Sequence, residues 1–442
     1  MGDLREGTRR GVAVRDPKGS SRIDRRVHLN GVDYRWPASP VVVVCIDGGD
    51  PAYIVQGIRD GIIPNIARFM REGFSALAAG TVPSFTCPNN MSLITGAPPA
   101  VHGISGNFYL DAATREAVVM TGPELLRSRT ILAEFADAGA KVVSITAKDK
   151  LRRQLGKDLD LSRGNISFSA EHADRCTMRD HGIEDVLGLV GMRQPGMYSM
   201  ELSLLVLEAG VRLLERDRPD LMFLSLTDYI QHKHAPGDPV ADDFYRRIDE
   251  QFGRLAALGA VVALTADHGM NDKATPEGAP NVIFLQDLLD EEFGQGDTRV
   301  ICPITDAFVR HHGALGGFVR VWCLGGSATP EAIIALLDGM PGIAEALGRG
   351  EACRRFELPP DREGDVAVIG EPNVVIGAAA SEHDLASLGG ARLRSHGALA
   401  EAQVPFILSR TLNAAYRHRA SAGTLKSHQI FDYALNGTEA VP

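Results

Sequence analysis

Short apolar runs alternate with longer amphipathic segments along most of the chain. The runs are apolar on both faces, as strands buried inside a parallel sheet are; they are VVVVCI at 41–46, KVVSIT at 141–146, LMFLSL at 221–226, AVVALT at 260–265 and VPFILS at 404–409. Apolar residues recur at helical spacing over 239–257, and 199–216 carries a broad apolar stripe. This alternation predicts a doubly wound α/β core with a mostly parallel sheet flanked by helices.

The pattern changes between about residues 275 and 390. Glycine and proline become frequent, and strand-like segments such as RVICPI at 299–304 and FVRVWCL at 318–324 alternate with short helical ones. We therefore expect a smaller inserted α+β cap domain at 275–390, with the core formed by 29–274 and 391–442. Residues 1–28 mix basic and acidic side chains and lack an apolar signal-peptide run, so they predict a disordered N-terminal arm.

Composition and charge narrow the possible partners of the chain. The net charge of −10 over 442 residues argues against a general nucleic-acid binder, because phosphate backbones are bound mainly by excess Lys and Arg. The run VVVVCI is far shorter than the ~18 residues of a membrane span. The six cysteines form no CxxC motif, which indicates reduced thiols. We expect a soluble, cytoplasmic protein, either a monomer or a homodimer, without nucleic-acid or membrane partners.

Polar residues follow three of the predicted strands at their carboxyl ends. Asp47 follows VVVVCI, Asp228 follows LMFLSLT, and Asp267 and His268 follow VVALTA. In open α/β sheets ligands bind at this edge. A single aspartate after a strand is commonly a turn former or helix cap. Three of them, two with histidines nearby, indicate a metal site.

Spacing refines the choice of ligands in TDYIQHKHAPG at 227–237. In a helix Asp228 and His232 lie four apart on one face, whereas His234 points away. We therefore expect Asp228 and His232 to act as a pair and His234 to lie outside it. In DHG at 267–269, adjacent Asp and His can face one metal only where the backbone leaves strand geometry, a freedom that Gly269 would supply.

Two further residues each have two interpretations. Thr86, in PSFTCPNN, precedes a predicted helix and is either its N-cap or a nucleophile. A hydroxyl at a helix start lies at the positive end of the dipole, and bound zinc would lower its pKa, so the two roles can coexist. His396, in SHGAL, is either a turn residue or a further metal ligand.

The order Asp47, Thr86, Asp228 with His232, Asp267 with His268, and His396 resembles the alkaline phosphatase superfamily, in the branch that contains nucleotide pyrophosphatases and phosphonoacetate hydrolases. The resemblance runs from about residue 30 to the C-terminus. The segments that look most like phosphonoacetate hydrolases are YRWP at 34–37, CIDG at 45–48, TAKDK at 146–150 and TDYIQHKHAPG. GGDP at 48–51 departs from the pattern, where a larger residue and Glu are expected.

The resemblance implies an alkaline-phosphatase-like core that binds two Zn²⁺ ions, with Mn²⁺ or Fe as alternatives. One ion would be bound by Asp228, His232 and His396, and the other by Asp47, Thr86, Asp267 and His268. Thr86 would attack phosphorus and form a phosphothreonine intermediate.

The resemblance also implies three substrate-binding residues. Asn107, in GNFY, matches a position that donates a hydrogen bond to a phosphoryl oxygen, and is otherwise a turn asparagine. Lys148 and Lys150, in TAKDK, would hold a carboxylate, and otherwise form a solvated helix start. His102, in PPAVHGISG, matches a superfamily motif that we interpret as shaping a loop.

The function implied is that of a dinuclear zinc hydrolase that cleaves phosphonoacetate, a small anionic phosphonate, to acetate and phosphate. A nucleotide pyrophosphatase or phosphodiesterase with the same metals is the alternative enzyme, although it would need an aromatic slot for the base in place of the lysines. A catalytically inactive metal-binding scaffold is the alternative of another class, and it would be expected to lack a ligand or the nucleophile.

Overall fold

A seven-stranded sheet forms the centre of the computed structural model, which describes residues 25–111, 113–305 and 313–439. In spatial order its strands are Phe74–Ala79, Gln403–Leu408, Val261–Thr265, Val41–Cys45, Leu221–Ser225, Val142–Thr146 and Ile166–Ser169. All five predicted apolar runs are therefore strands of one sheet.

One strand of this sheet runs against the other six. Gln403–Leu408 is antiparallel to both of its neighbours, Val261–Thr265 and Phe74–Ala79. The interpretation of its apolar run as a parallel strand was wrong. Burial on both faces determines the apolar pattern, and that pattern is the same for either strand direction.

Helices cover both faces of the sheet, as the alternating pattern predicts. Alternate residues of Val41–Cys45 belong to two different hydrophobic clusters, one on each face. The two long predicted helices are Glu201–Asp217 and Pro239–Ala257, and both pack on the first of these clusters. The remaining α-helices of the core region are Pro51–Arg59, Pro64–Glu72, Thr86–Thr95, Pro99–His102, Ile131–Asp137, Asp149–Leu155, Met178–His181, Val186–Val190, Tyr229–Lys233, Ala414–Ala422 and Ile430–Asp432.

A second sheet lies within the predicted insertion at 275–390. Its four antiparallel strands, in spatial order, are Thr298–Ile301, Phe318–Cys323, Val366–Gly370 and Ile343–Gly348. Helices Leu285–Phe293, Pro330–Leu337 and Arg349–Phe356 accompany it. Its hydrophobic cluster also takes in Phe85 and Ala398, which lie beside Thr86 and His396 in the chain. The insertion therefore packs directly against two segments that carry candidate site residues.

An N-terminal hairpin pairs Arg26–Leu29 with Val32–Arg35. This hairpin begins within the last residues of the predicted arm. In its first strand Val27 and Leu29 are buried, while Arg26 and His28 are exposed. Residues 1–24 of that arm lie outside the described residues. The smaller strand pairs are Phe108–Leu110 with Ala117–Val119, Asn271–Asp272 with Arg394–Ser395, and Val282–Phe284 with Val375–Gly377.

Two expectations from composition concern cysteines and membranes. All six cysteines lie in described segments, and none forms a disulfide. Within residues 25–111, 113–305 and 313–439, every helix is too short or too polar to cross a bilayer.

Candidate metal centre

Three neighbouring parallel strands bring the predicted ligands to one edge of the sheet. Thr265 pairs in register with Cys45, and Cys45 with Ser225, so the three strands end side by side. The residues that follow them emerge together as a buried cluster, which contains Asp47, Asp228, Asp267 and His268.

Asp228, His232 and His396 form one group whose ligand atoms all lie within 4.8 Å of one another. Nε2 of His232 lies 2.9 Å from Oδ2 of Asp228, and Nε2 of His396 lies 3.9 Å from the same oxygen. Asp228 is the N-cap of the short helix Tyr229–Lys233. His234 ends that helix and pairs instead with Asp238, at 3.1 Å.

Asp47, Asp228 and His268 form a second group, again within 4.8 Å. Nε2 of His268 lies 3.4 Å from Oδ1 of Asp47, 3.6 Å from Oδ2 of Asp267 and 3.3 Å from Oγ1 of Thr86. Asp47, Thr86 and Asp267 thus surround Nε2 of His268, so the four residues that the resemblance assigns to one ion lie together. Asp228 belongs to both groups and lies between them.

The three imidazoles are oriented alike. Each Nδ1 donates to a backbone carbonyl, which leaves the lone pair on the Nε2 that faces the cluster. The acceptors are the carbonyl of Arg394 for His232 at 2.7 Å, that of Gly269 for His268 at 2.9 Å, and that of Ser84 for His396 at 2.8 Å. All three rings therefore have the tautomer that binds a metal through Nε2.

The electrostatics of the cluster fit divalent cations. Burial, followed by repulsion from Asp228 and Asp267, raises the pKa of Asp47 well above its usual value. Burial raises the pKa of Asp267 to about 7, and Asp228 adds to the rise. Oδ1 of Asp47 is buried without a hydrogen-bond partner among the described residues. Three carboxylates and three imidazoles form a donor set that zinc accepts, and two cations would offset their crowded charge.

Thr86 is the first residue of the helix Thr86–Thr95, and Phe85 is the N-cap. No side chain makes a capping hydrogen bond at this helix start, so the N-cap interpretation of Thr86 was wrong. Its hydroxyl points instead to His268. The buried ring of Phe85 holds this end of the helix against the inserted region.

Asn90 is a site residue that the sequence analysis missed. Its Nδ2 donates to Oδ2 of Asp267 at 3.2 Å and to the carbonyl of Thr86 at 3.1 Å. Its Oδ1 accepts from Oγ of Ser225 at 3.1 Å. Asn90 lies four residues after Thr86, which is one helical turn away. That spacing in the sequence was the signal that Asn90 lies on the same side of the helix as Thr86.

Two glycines beside the cluster are required by close contacts. A Cβ on Gly269 would lie 2.4 Å from Oδ2 of Asp50. The backbone has left strand geometry after Thr265, as expected, although the φ of Gly269 itself is not positive. Gly48 does have a positive φ of 66°, and a Cβ there would lie 3.1 Å from Cβ of Asp228.

The two lysines lie beside the ligand cluster. Nζ of Lys148 is 3.6 Å from Oδ1 of Asp228, and its side chain is only 16% exposed. Lys148 and Lys150 line a cavity of about 250 Å³, which Arg153 and the acidic residues Asp149 and Glu171 also line.

Asn107 lies at the inserted region. Its Nδ2 donates to the carbonyls of Ile304 and Thr305, both at 3.2 Å. Among the described residues, these hydrogen bonds link its amide to the insertion and not to the ligand cluster.

Among the described residues, His102 belongs to neither of the two ligand groups. His102 is buried, accepts from the backbone N–H of Ile104 at 3.2 Å through Nδ1, and lies 2.9 Å from Oγ of Ser92 through Nε2. Burial lowers its pKa to about 3, which fits a neutral, loop-shaping residue. His311 and His312 lie outside the described residues.

Residues 41–324 match the family model described as type I phosphodiesterase / nucleotide pyrophosphatase. Among curated proteins, the chain is similar to an uncharacterized pyrophosphatase/phosphodiesterase of Schizosaccharomyces pombe, with 29% identity over 268 residues. That alignment covers 57% of this chain and 48% of the yeast protein, so the chain spans about half the length of this curated relative.

Solved structures give a closer match. Phosphonoacetate hydrolase from Sinorhizobium meliloti 1021 is 46% identical in its complexes with phosphonoformate and with phosphonoacetate, with TM-scores of 0.89 and 0.88. Each comparison covers 93% of this chain and 98% of that one.

Murine ectonucleotide pyrophosphatase/phosphodiesterase 5, at 15% identity, 91% and 96% coverage and a TM-score of 0.59, shares the fold. These comparisons confirm the predicted alkaline-phosphatase-like α/β core. Because the family model matches more than half of its length, the chain belongs to the type I phosphodiesterase/nucleotide pyrophosphatase family.

Proposed function

We propose that the protein is a dinuclear zinc hydrolase that cleaves the C–P bond of phosphonoacetate to give acetate and phosphate. The observation that carries this proposal is the position of Lys148, whose ammonium group lies 3.6 Å from the carboxylate of Asp228 and which also lines the cavity that contains Lys150 and Arg153. In this proposal that cavity receives the carboxylate of the substrate. The similarity to the S. meliloti phosphonoacetate hydrolase, solved with phosphonoacetate, supports the same substrate.

In this proposal Asp228, His232 and His396 hold one ion, and Asp47, Thr86, Asp267 and His268 hold the other. When bound, the two ions would lower the pKa of the Thr86 hydroxyl and offset the charge of the phosphonyl oxygens. The same donor types also bind Mn²⁺ and Fe, so metal analysis of the purified protein tests whether the ions are zinc.

Oγ1 of Thr86 attacks phosphorus in line with the C–P bond. The new O–P bond forms as the C–P bond breaks, and the hydroxyl proton of Thr86 passes to water. The bonding pair leaves with carbon as an enolate-like dianion, which takes a proton from water to become acetate. Water then cleaves the phosphothreonine, releases phosphate and restores the hydroxyl. The sum is one phosphonoacetate and one water converted to one acetate and one phosphate.

Lys148 and Lys150 bind the carboxylate of the substrate, where negative charge grows as the carbon departs. An interaction that strengthens during the reaction lowers the barrier, whereas one that is equal throughout does not. The low exposure of Lys148 keeps its charge poorly screened by water, which increases this effect.

Asn107 donates a hydrogen bond to a phosphonyl oxygen in this proposal. Both N–H groups of its amide are directed at the carbonyls of Ile304 and Thr305, each at 3.2 Å. A phosphonyl oxygen would therefore replace one of these carbonyls as the acceptor. An anionic oxygen is the stronger acceptor, so this exchange is favourable.

A nucleotide pyrophosphatase or phosphodiesterase is the second candidate, and one observation favours it. Tyr229 follows Asp228 and packs on the half-exposed Tyr198, with ring centroids 5.6 Å apart, so aromatic surface adjoins the cluster. The rings are packed on each other at 45°, however, and do not form a parallel slot for a base.

The test compares phosphate release from phosphonoacetate with hydrolysis of a chromogenic phosphodiester by the same zinc-loaded protein, alongside metal analysis. We expect kcat/KM for phosphonoacetate to be higher by roughly 100-fold or more, since a polar pocket built for the carboxylate disfavours substrates without one. Faster turnover of the diester would instead support the nucleotide reaction. Turnover of neither substrate by protein that holds two metal ions would favour the inactive scaffold.

A further inference from the structure

The loop 103–107, which ends at Asn107, lies against the inserted region along its whole length. The backbone N–H of Asn107 donates to the carbonyl of Pro303 at 2.8 Å, and its side-chain amide donates to Ile304 and Thr305. Its position therefore depends on contacts that come from a different part of the chain.

Arg320 holds the middle of this loop. It lies in the strand Phe318–Cys323 of the second sheet and is fully buried. Its NH2 donates to the carbonyl of Ser105 at 2.9 Å, and its Nε donates to Oε1 of the buried Glu363 at 2.5 Å. Because the guanidinium is rigid and planar, Glu363 fixes the direction in which Arg320 presents its second N–H group to Ser105.

Arg362 holds the start of the loop in the same way. Its NH1 donates to the carbonyls of Gly103 at 2.7 Å and Leu125 at 2.8 Å. The insertion thus binds two carbonyls of the loop, those of Gly103 and Ser105, through two arginines that lie on different elements.

The loop has no space to move toward the insertion at Gly106. A Cβ on Gly106 would lie 2.7 Å from Cβ of Pro303 and 3.2 Å from NH1 of Arg320. Any side chain at this position would push the loop, and Asn107 with it, away from its present place.

We propose that Arg320 is a positioning residue, which acts on the reaction through Asn107 by fixing the Ser105–Asn107 backbone. This inference rests on the role given to Asn107 in the proposed function. The competing explanation is that the Arg320–Glu363 pair only stabilises the fold of the insertion. The two differ in whether the effect of replacing Arg320 passes through Asn107.

The experiment is a double-mutant cycle measured on kcat/KM for phosphonoacetate. The pair Arg320→Met with Glu363→Met removes the donor to Ser105 without leaving a buried charge unpaired, and such apolar replacements are commonly tolerated. Glu363→Gln is the matched control, because its amide oxygen can still accept from Nε of Arg320, so the direction of Arg320 and its bond to Ser105 are kept while the ion pair is removed. Each change is made in wild-type protein and in Asn107→Ala.

We expect the Met pair to lower kcat/KM on the order of 10- to 100-fold, the size of effect that misplacing a catalytic group produces. In the Asn107→Ala background the same pair should change kcat/KM by less than about twofold, because Asn107 no longer contributes. Glu363→Gln should stay close to wild type, and zinc content should be equal in all variants.

Gly106→Ala provides an independent arm that leaves the ion pair intact, and keeps the inference testable if the Met pair does not fold. It should lower kcat/KM and likewise lose its effect in the Asn107→Ala background. Losses that add fully to that of Asn107→Ala would overturn the inference and leave Arg320 a purely structural residue.

Failure of the proposed function has a different result. If Asn107→Ala alone had wild-type activity, the role of Asn107 itself would be wrong, and the inference would fall with it. If wild-type protein did not cleave phosphonoacetate, the substrate assignment would fail, and the same cycle would be measured on the chromogenic diester. Coupling between Arg320 and Asn107 would then still support the inference, and additive losses would still overturn it.

Discussion

The imidazole rings of His268 and His396 stack face to face, with centroids 3.5 Å apart and planes inclined by 7°. In the proposed centre the two rings belong to different metal ions. Two imidazolium rings at this distance would repel each other. Burial, followed by the neighbouring His268 and His232, lowers the pKa of His396 well below its usual value. The fold therefore keeps this ring in the neutral form that binds a metal.

Thr86→Ala should abolish hydrolysis of phosphonoacetate, with a loss of at least about 10³-fold in kcat, because it removes the nucleophile. Thr86→Ser keeps a hydroxyl and should retain measurable turnover. Phosphate release is the measurement, with zinc content determined on the same samples. Wild-type turnover by a zinc-loaded Thr86→Ala protein would show that another group attacks phosphorus.

Asp47→Asn should weaken zinc binding without destabilising the metal-free fold. The folded-state pKa of Asp47 is raised, so its ionised form destabilises the metal-free fold at neutral pH, and a neutral amide removes that cost. We expect the chelator-treated variant to melt no lower than chelator-treated wild type. Zinc at about 100 times its Kd should stabilise wild type by about 2.7 kcal/mol and the variant by much less. Equal zinc-induced shifts in Tm for both proteins would exclude Asp47 as a ligand.

Lys150→Met should act on the carboxylate of the substrate alone. We expect its kcat/KM for phosphonoacetate to fall about tenfold, the effect of losing roughly 1.4 kcal/mol of transition-state binding. Hydrolysis of a phosphonate ester without a carboxylate should be unchanged, which makes that ester the internal control. Equal losses on both substrates would mean that Lys150 does not recognise the carboxylate.

Asn90→Ala should weaken zinc binding by about 10- to 100-fold, because the amide orients the carboxylate of Asp267. Ser225→Ala is the matched control, since the hydroxyl of Ser225 donates to Asn90 and not to Asp267. Competition with a zinc-binding dye measures both affinities. An affinity loss as large for Ser225→Ala would indicate a general packing defect.

His102 should make the stability of the zinc-free protein depend on pH. Burial lowers its folded-state pKa to about 3, whereas an unfolded histidine has its usual pKa of 6.5. Between these values the unfolded chain binds more protons, so stability falls on acidification, by up to about 1.4 kcal/mol per pH unit from this residue.

Urea unfolding at pH 7, 6 and 5 measures how steeply the free energy of unfolding changes with pH in wild type and in His102→Gln. His428, whose pKa burial lowers to about 4, contributes equally to both proteins and cancels. Parallel pH profiles for the two proteins would show that His102 is protonated in the fold.

Local patterns were enough to predict the five apolar strands and the residues that follow three of them. Asp47, Asp228 and Asp267 could be found because parallel strands end at one edge, so a position in the sequence implies a position in space. The pairing of Asp228 with His232 needs only one helical turn. In both cases the contacts are set by geometry within an element or between neighbouring strands.

Tertiary structure alone decided the features that depend on distant segments. The reversed direction of Gln403–Leu408, the contact of Asp50 that requires Gly269, and the arginines that hold the loop before Asn107 all join residues far apart in the chain. The apolar pattern of a segment indicates which of its residues are buried. It does not indicate which residues bury them, because many different neighbours can exclude water from an apolar side chain or satisfy a buried hydrogen-bonding group.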